Sequence, residues 1–245
     1  MSGHSKWATT KRQKFATDSK RSALFTKLAK MITVAVKTGG GGDSEMNFKL
    51  RLAIDKAKAD SMPKENIERA IKRGLGEGGG ENIEEVIYEG ILPLQSHPTG
   101  LAIIIEALTD NRNRTVSEIR ATLAKHGGRM VNSGSVTYLF DQVAEVIVSK
   151  NSNQLPKDQI EMMIIDSGAN DYFEEEKSYI VYGKVADLKH LKEFFEQTGV
   201  TVEAAEIIYK PKNAIEVSEE EQKKIDNLLE ALDDLSDCGQ IYINL

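Results

Sequence analysis

One cysteine, Cys238, occurs among the 245 residues, so no intrachain disulfide can form, and the chain suits a reducing compartment. No apolar run approaches the ~18 residues that span a bilayer. The longest candidate, Leu101 to Leu108, is broken by Glu106. The N-terminus is basic and polar with no apolar stretch behind it, which excludes a secretory signal, and Asp18 together with the helical pattern that follows argues against a mitochondrial presequence. His4, His97, His126 and His190 are scattered, with neither H-x₃-H nor C-x-x-C spacing for zinc. Neither glycine run, at 39–42 or 74–80, carries the Lys and preceding strand of a phosphate-binding P-loop. The acidic triplets at 174–176 and 219–221 read as a solvated turn and an acidic first helical turn rather than as metal sites. No catalytic residue, metal, cofactor or small-molecule substrate is expected, and Cys238 reads as a buried structural thiol.

What the sequence does have is a lopsided charge. The formal net charge is −6, yet residues 1–75 hold 17 Lys+Arg and 7 Asp+Glu, a net of +10. The remainder holds 15 Lys+Arg and 31 Asp+Glu, a net of −16. A basic head on an acidic body marks a polyanion-binding arm. The plainer explanation, that helices carry charge on their solvated faces, accounts for many of these residues but not for their uneven sign.

The head reads as helical. Residues 5–21 form an arm or weak helix of low apolar content. From Ser22, the residues Leu24, Leu28, Ile32 and Ala35 recur at helical spacing, with Lys20, Lys27, Lys30 and Lys37 on another face. Glycines 39–42 end that helix. A second runs over 44–61, and a third starts after Met62-Pro63 and ends at Gly74, with Ile67, Ala70 and Ile71 inward. Residues 74–81 read as a linker.

Beyond 82 the texture is mixed. "VIYEGIL" and "GLAIIIEALT" read as strands and "NRNRTVSEIRATLAKHGG" as a helix capped by Thr109, Asp110 or Asn111; "SVTYLF" reads as a further strand. The order β-α-β-β-α-β over 142–209 is ferredoxin-like. "NAIEVS" (strand), a helix over 219–235 and "GQIYINL" (strand) are too few to stand alone. The expected fold is therefore α+β: a basic helical domain with its arm (1–80), a split middle domain (81–141 plus 210–245), and an acidic ferredoxin-like domain (142–209) inserted into it. The inserted unit carries 6 Lys+Arg against 13 Asp+Glu and no RNA-recognition aromatic motif, so a protein-contacting or spacing role suits it better than RNA binding.

The first set of phosphate contacts expected from this pattern is Lys6, Lys11, Arg12, Lys14, Lys20 and Arg21. The second is Lys27, Lys30, Lys64, Arg69, Lys72 and Arg73. Trp7 either stacks on a base or packs locally. In "TDNRNRT" at 109–115, Arg112 and Arg114 either hold phosphate or a carboxylate at a helix N-terminus, or stand solvated on a capping turn.

"SGHSKW" at 2–7, "FTKL" at 25–28, "LRLAIDKAKA" at 50–59, "MPKENIERAIKRG" at 62–74, "YEG" at 88–90, "TDNRNRT", "KHGG" at 125–128 and "GSVTYLF" at 134–140 together resemble the YebC/PmpR family, collinearly over essentially the whole chain. One departure is "ILPLQSHPTG", with two prolines and His97, where the family has a short Gly-Pro-Gly-Gly-like turn. The resemblance implies a cytoplasmic, three-domain α+β protein, a DNA-binding regulator of transcription. The family also includes the mitochondrial translational activator of cytochrome oxidase, and some members act at the ribosome, which implies the alternative: a ribosome-associated factor that grips ribosomal RNA or tRNA and aids synthesis of proline-rich stretches. No membrane partner is implied.

Overall fold

The structure is a computed structural model that describes residues 18–77, 82–150 and 155–245. These form two compact units. One comprises the described residues up to Asp141 together with Lys210–Leu245; the other is Gln142–Tyr209.

The first unit begins with three helices, α1 (Asp18–Thr38), α2 (Phe48–Ala59) and α3 (Lys64–Gly74). Leu28, Ile32 and Ala35 of α1 are buried against Leu50, Ala53 and Ala57 of α2 and Ile67 and Ala70 of α3, the stripe that the spacing predicts. Thr33 is also buried, and its hydroxyl donates to the carbonyls of Ala29 and, across the interface, Ala70. The close crossing of α3 on α1 depends on Gly74, where an added Cβ would meet the Val36 side chain at 2.6 Å. α2 spans only 48–59 of the expected 44–61, because Asn47 caps it by accepting from Leu50 N–H at 2.9 Å.

After the helices come β1 (Glu84–Leu92), β2 (Leu101–Thr109), α4 (Arg112–Lys125) and β3 (Arg129–Val131). The unit ends with α7 (Glu219–Asp233) and β8 (Cys238–Ile243). The sheet order is β3-β1-β2-β8, antiparallel throughout. β2 is central, and its apolar run from Leu101 to Ile105 reflects burial of both faces. Leu101, Ile103 and Ile105 pack with Ile119 and Leu123 of α4 and with Leu228 and Leu232 of α7.

Two stretches expected as strands take other forms. Residues 137–139 of "SVTYLF" form a 3₁₀ turn, because the buried Glu89 carboxylate accepts from the backbone N–H groups of Gly134, Val136 and Thr137 and from the Thr137 hydroxyl. Donors committed to that carboxylate cannot join a ladder. "NAIEVS" is also irregular: Ile215 N–H donates to the Asn244 carbonyl at 2.9 Å, and Ser218 is used as the cap of α7.

The second unit contains β4 (Phe140–Ser149), which starts in the first unit, then α5 (Lys157–Asp166), β5 (Asp171–Glu174), β6 (Ser178–Gly183), α6 (Leu188–Gln197) and β7 (Val202–Pro211). Its sheet order, β5-β6-β4-β7, is the ferredoxin-like arrangement, inserted between the two parts of the first unit. Val146 and Val148 are buried together with Ile160, Ile164, Leu191 and Phe195 of the two helices. Among the described residues, no helix is long and apolar enough to cross a membrane.

Candidate nucleic-acid interface

The cations named from the sequence fall into three groups. Lys6, Lys11, Arg12 and Lys14, with Trp7, lie outside the described residues.

The second group is engaged inside the first unit. α1 lays its lysine face on the acidic end of α7. Lys20 pairs with Glu230 at 3.2 Å; Lys27 donates to both the backbone carbonyl and the carboxylate of Asp233; Lys30 donates to Asp237 and to the Ser236 carbonyl. Lys27 and Lys30 are largely buried in these contacts, with side chains 13% and 15% exposed. This departs from the expectation that they face phosphate. The spacing placed the lysines on one face of α1 but said nothing of what packs on that face, and it is a helix C-terminus, where cations are favoured.

Arg112 and Arg114 close ion pairs in the same way. Arg112 forks onto Glu84, with Nη2 2.7 Å from Oε2, which lowers the Glu84 carboxyl pKa and raises that of the guanidinium. Arg114 bridges Asp110 and Asp237, each at 2.7 Å. Asn111 caps α4 by accepting from Arg114 N–H, so the capping turn expected of "TDNRNRT" is present, and its second arginine holds a carboxylate of the same chain.

Asp237 is the centre of this arrangement and was not anticipated. Its side chain is fully buried and accepts from Lys30, from Arg114, from Thr115 at 2.7 Å and from Thr109 at 3.2 Å. Burial alone would raise its pKa, but the hydrogen bonds from Lys30, Arg114 and Thr115 hold the carboxyl well below the usual range. One sequence cue existed: an acid immediately before a strand, in a chain that supplies buried-type threonines and arginines elsewhere. Its partners lie more than a hundred residues away.

The third group is exposed. Arg21 lies over the Phe25 ring, 5.7 Å from its centroid. Lys64 makes only a loose 3.6 Å pair with Glu68. Arg69, Lys72 and Arg73 stand at i, i+3 and i+4 on one face of α3, exposed and without partners among the described residues. This is a compact cationic surface at the end of a short helix, suited to phosphate backbone.

Little reactive chemistry accompanies it. Cys238 is buried, which pushes its thiol pKa up to about 12. Among the described residues no cluster of His, Cys, Asp or Glu could hold a metal ion. Glu219 to Glu221 form the first turn of α7, and Glu221 closes a capping box with Ser218.

Comparison with known proteins extends this picture. Residues 5–77 match the family described as the TACO1/YebC protein N-terminal domain, and residues 83–245 match the TACO1/YebC second and third domain. A probable transcriptional regulatory protein of Thermoanaerobacter pseudethanolicus is 46% identical over 100% of this chain and 97% of its own length. Another from Chloroflexus aggregans is 44% identical over 100% of this chain and 95% of its own. The crystal structure of a conserved hypothetical protein, Aq1575 from Aquifex aeolicus, superposes with a TM-score of 0.82 at 42% identity, covering 93% of this chain and 90% of that one.

Proposed function

This chain belongs to the TACO1/YebC family of probable transcriptional regulatory proteins, a non-enzymatic family, and from that premise we propose that it regulates gene expression by binding DNA through the phosphate backbone. The observation that carries the reading is the exposed trio Arg69, Lys72 and Arg73 on one face of α3, without partners among the described residues, in a head whose net charge is +10 against −16 for the rest. Lys64 and Arg21 extend that set, and Lys6, Lys11, Arg12 and Lys14 of the N-terminal segment add to it. Lys20, Lys27 and Lys30 contribute less, since their charge is already met by carboxylates. The acidic ferredoxin-like unit repels phosphate and serves protein contacts or spacing.

A second reading, a translation factor on ribosomal RNA or tRNA, shares the same charge logic. It is favoured by the shape of α3: eleven residues with the free cations in the last turns, rather than a recognition helix laying its N-terminal residues along a major groove.

The test is anisotropy of a labelled DNA duplex across a salt series. With about six phosphates engaged, log K falls against log salt with a slope of about −5. A slope near zero overturns the electrostatic reading. Crosslinking in cells, followed by sequencing of the attached nucleic acid, separates promoter-like DNA from ribosomal RNA or tRNA.

A further inference from the structure

Between residues 18 and 77 the exposed large apolar side chains are Met46 and Leu75, at 83% and 52% exposure. Leu75 belongs to the end of α3 that also bears Lys72 and Arg73, and Met46 to the loop that follows α1. Leu75 is the C-cap of α3, two residues after Arg73. The glycine loop at 39–42 passes beside it: a Cβ added at Gly42 would meet Leu75 at 3.1 Å and Ile71 at 3.2 Å. Met46 stands on the continuation of that loop.

The loop is held rather than loose. Gly40 and Gly41 turn the chain with φ of 99° and 116°, which side chains rarely adopt. Buried Asn47 donates to the carbonyls of Ala35 at 2.9 Å and Gly41 at 2.7 Å, while Arg51 donates to those of Ser44 and Glu45, both at 3.3 Å. A surface pinned in this way gives up little freedom on binding. Asp43 and Glu45 lie on the same loop, which weakens simple attraction for phosphate there.

A duplex presents phosphates but hides its base faces in the stack, so Met46 and Leu75 gain nothing against it. An unpaired nucleotide supplies a phosphate and an apolar base face within one short reach. We infer that the Met46/Leu75 end of the helical region, with Arg69, Lys72 and Arg73, is a binding site for unpaired nucleotides, the cations meeting phosphates and the two apolar side chains covering exposed bases. The site rests on the nucleic-acid reading above and names the form of strand it takes, whether RNA or locally opened DNA.

The experiment measures anisotropy of three labelled probes of one sequence and length: unstructured single-stranded RNA, the matching single-stranded DNA, and the DNA duplex. The full chain is compared with a Met46→Ser/Leu75→Ser variant and an Arg69→Gln/Lys72→Gln/Arg73→Gln variant. The serine changes sit on exposed side chains, so melting should be unaltered. The expected result is tighter binding to single strand than to duplex, about a tenfold loss on single strand for the serine variant, and little loss on duplex. The tighter of the two single strands names the source. The glutamine variant should weaken all three probes and flatten each salt slope. Serine-variant binding equal to that of the parent on both single strands overturns the inference and leaves the nucleic-acid reading standing. Absence of salt-dependent binding to any probe overturns the reading itself, and this site with it.

Discussion

Arg114 and Asp237 lie 123 residues apart in sequence, yet Nη2 of the first is 2.7 Å from a carboxylate oxygen of the second that is fully buried. Lys30 reaches the other oxygen of the same carboxylate from α1. One acid thus ties the first helix, the capping turn of α4 and the start of β8 together.

Replacing Asp237 with Asn should therefore be costly despite its similar shape. It leaves Lys30 without its counter-charge and Arg114 with Asp110 alone, and removing one partner from a buried pair costs about 3 kcal/mol. A fall of several degrees in melting temperature is expected by calorimetry, with the fold retained at low temperature. Unchanged melting would mean that the hub contributes little.

The two lysine groups should separate cleanly in function. Lys27→Gln/Lys30→Gln should lower stability and leave the salt slope of DNA binding nearly unchanged, since those charges face Asp233 and Asp237. Arg69→Gln/Lys72→Gln/Arg73→Gln should leave stability nearly unchanged and make the slope shallower by about 3, because each phosphate no longer neutralised removes roughly one unit. Parallel titrations and melts of the two variants decide the matter. The reverse pattern would place the phosphate surface on α1.

Glu221 supplies a pH signature. Its carboxylate accepts from the N–H of Ser96 at 3.0 Å, of Gln95 at 2.8 Å and of Ser218 at 3.1 Å, which lowers its pKa from 4.5 to about 2. A carboxyl depressed in the folded state stabilises above its unfolded pKa and loses that contribution as pH falls. The acid limb between pH 4.5 and about 2 should accordingly be shallower in Glu221→Gln, which should also be less stable at neutral pH. Denaturant melts at stepped pH measure both.

Cys238 should be inert in the folded chain. Burial and a thiol pKa of about 12 leave almost no thiolate at neutral pH. A colorimetric thiol reagent should react only after denaturant is added, and a rapid reaction with native protein would contradict the burial.

Gly74→Ala tests the helix crossing. The new methyl would lie 2.6 Å from Val36 Cβ and 2.9 Å from the Thr33 carbonyl oxygen, so α3 must shift off α1. Overpacking of this kind costs about 1–3 kcal/mol. The shift would also move Lys72 and Arg73, so weaker nucleic-acid binding should accompany the lower melting temperature.

By itself the sequence determined the local elements wherever the pattern was long and periodic. The α1 stripe through Leu28 and Ile32, the apolar run of β2, and the β-α-β-β-α-β order of the acidic unit are all present, because burial of one face imposes its period on the residues. Charge asymmetry likewise pointed to a polyanion partner, and the collinear motifs pointed to the family. Local pattern failed where a distant side chain took the backbone's donors. "SVTYLF" alternates like a strand, but Glu89 holds its N–H groups in a turn. Only the tertiary structure decided which cations are free. Lys27 and Lys72 are alike in sequence, each a lysine on an amphipathic helix; one meets the carboxylate of Asp233, 206 residues away, and the other meets solvent. An ion pair across that separation leaves no periodic trace in the chain, because it is made by the packing of two helices and not by the spacing within either.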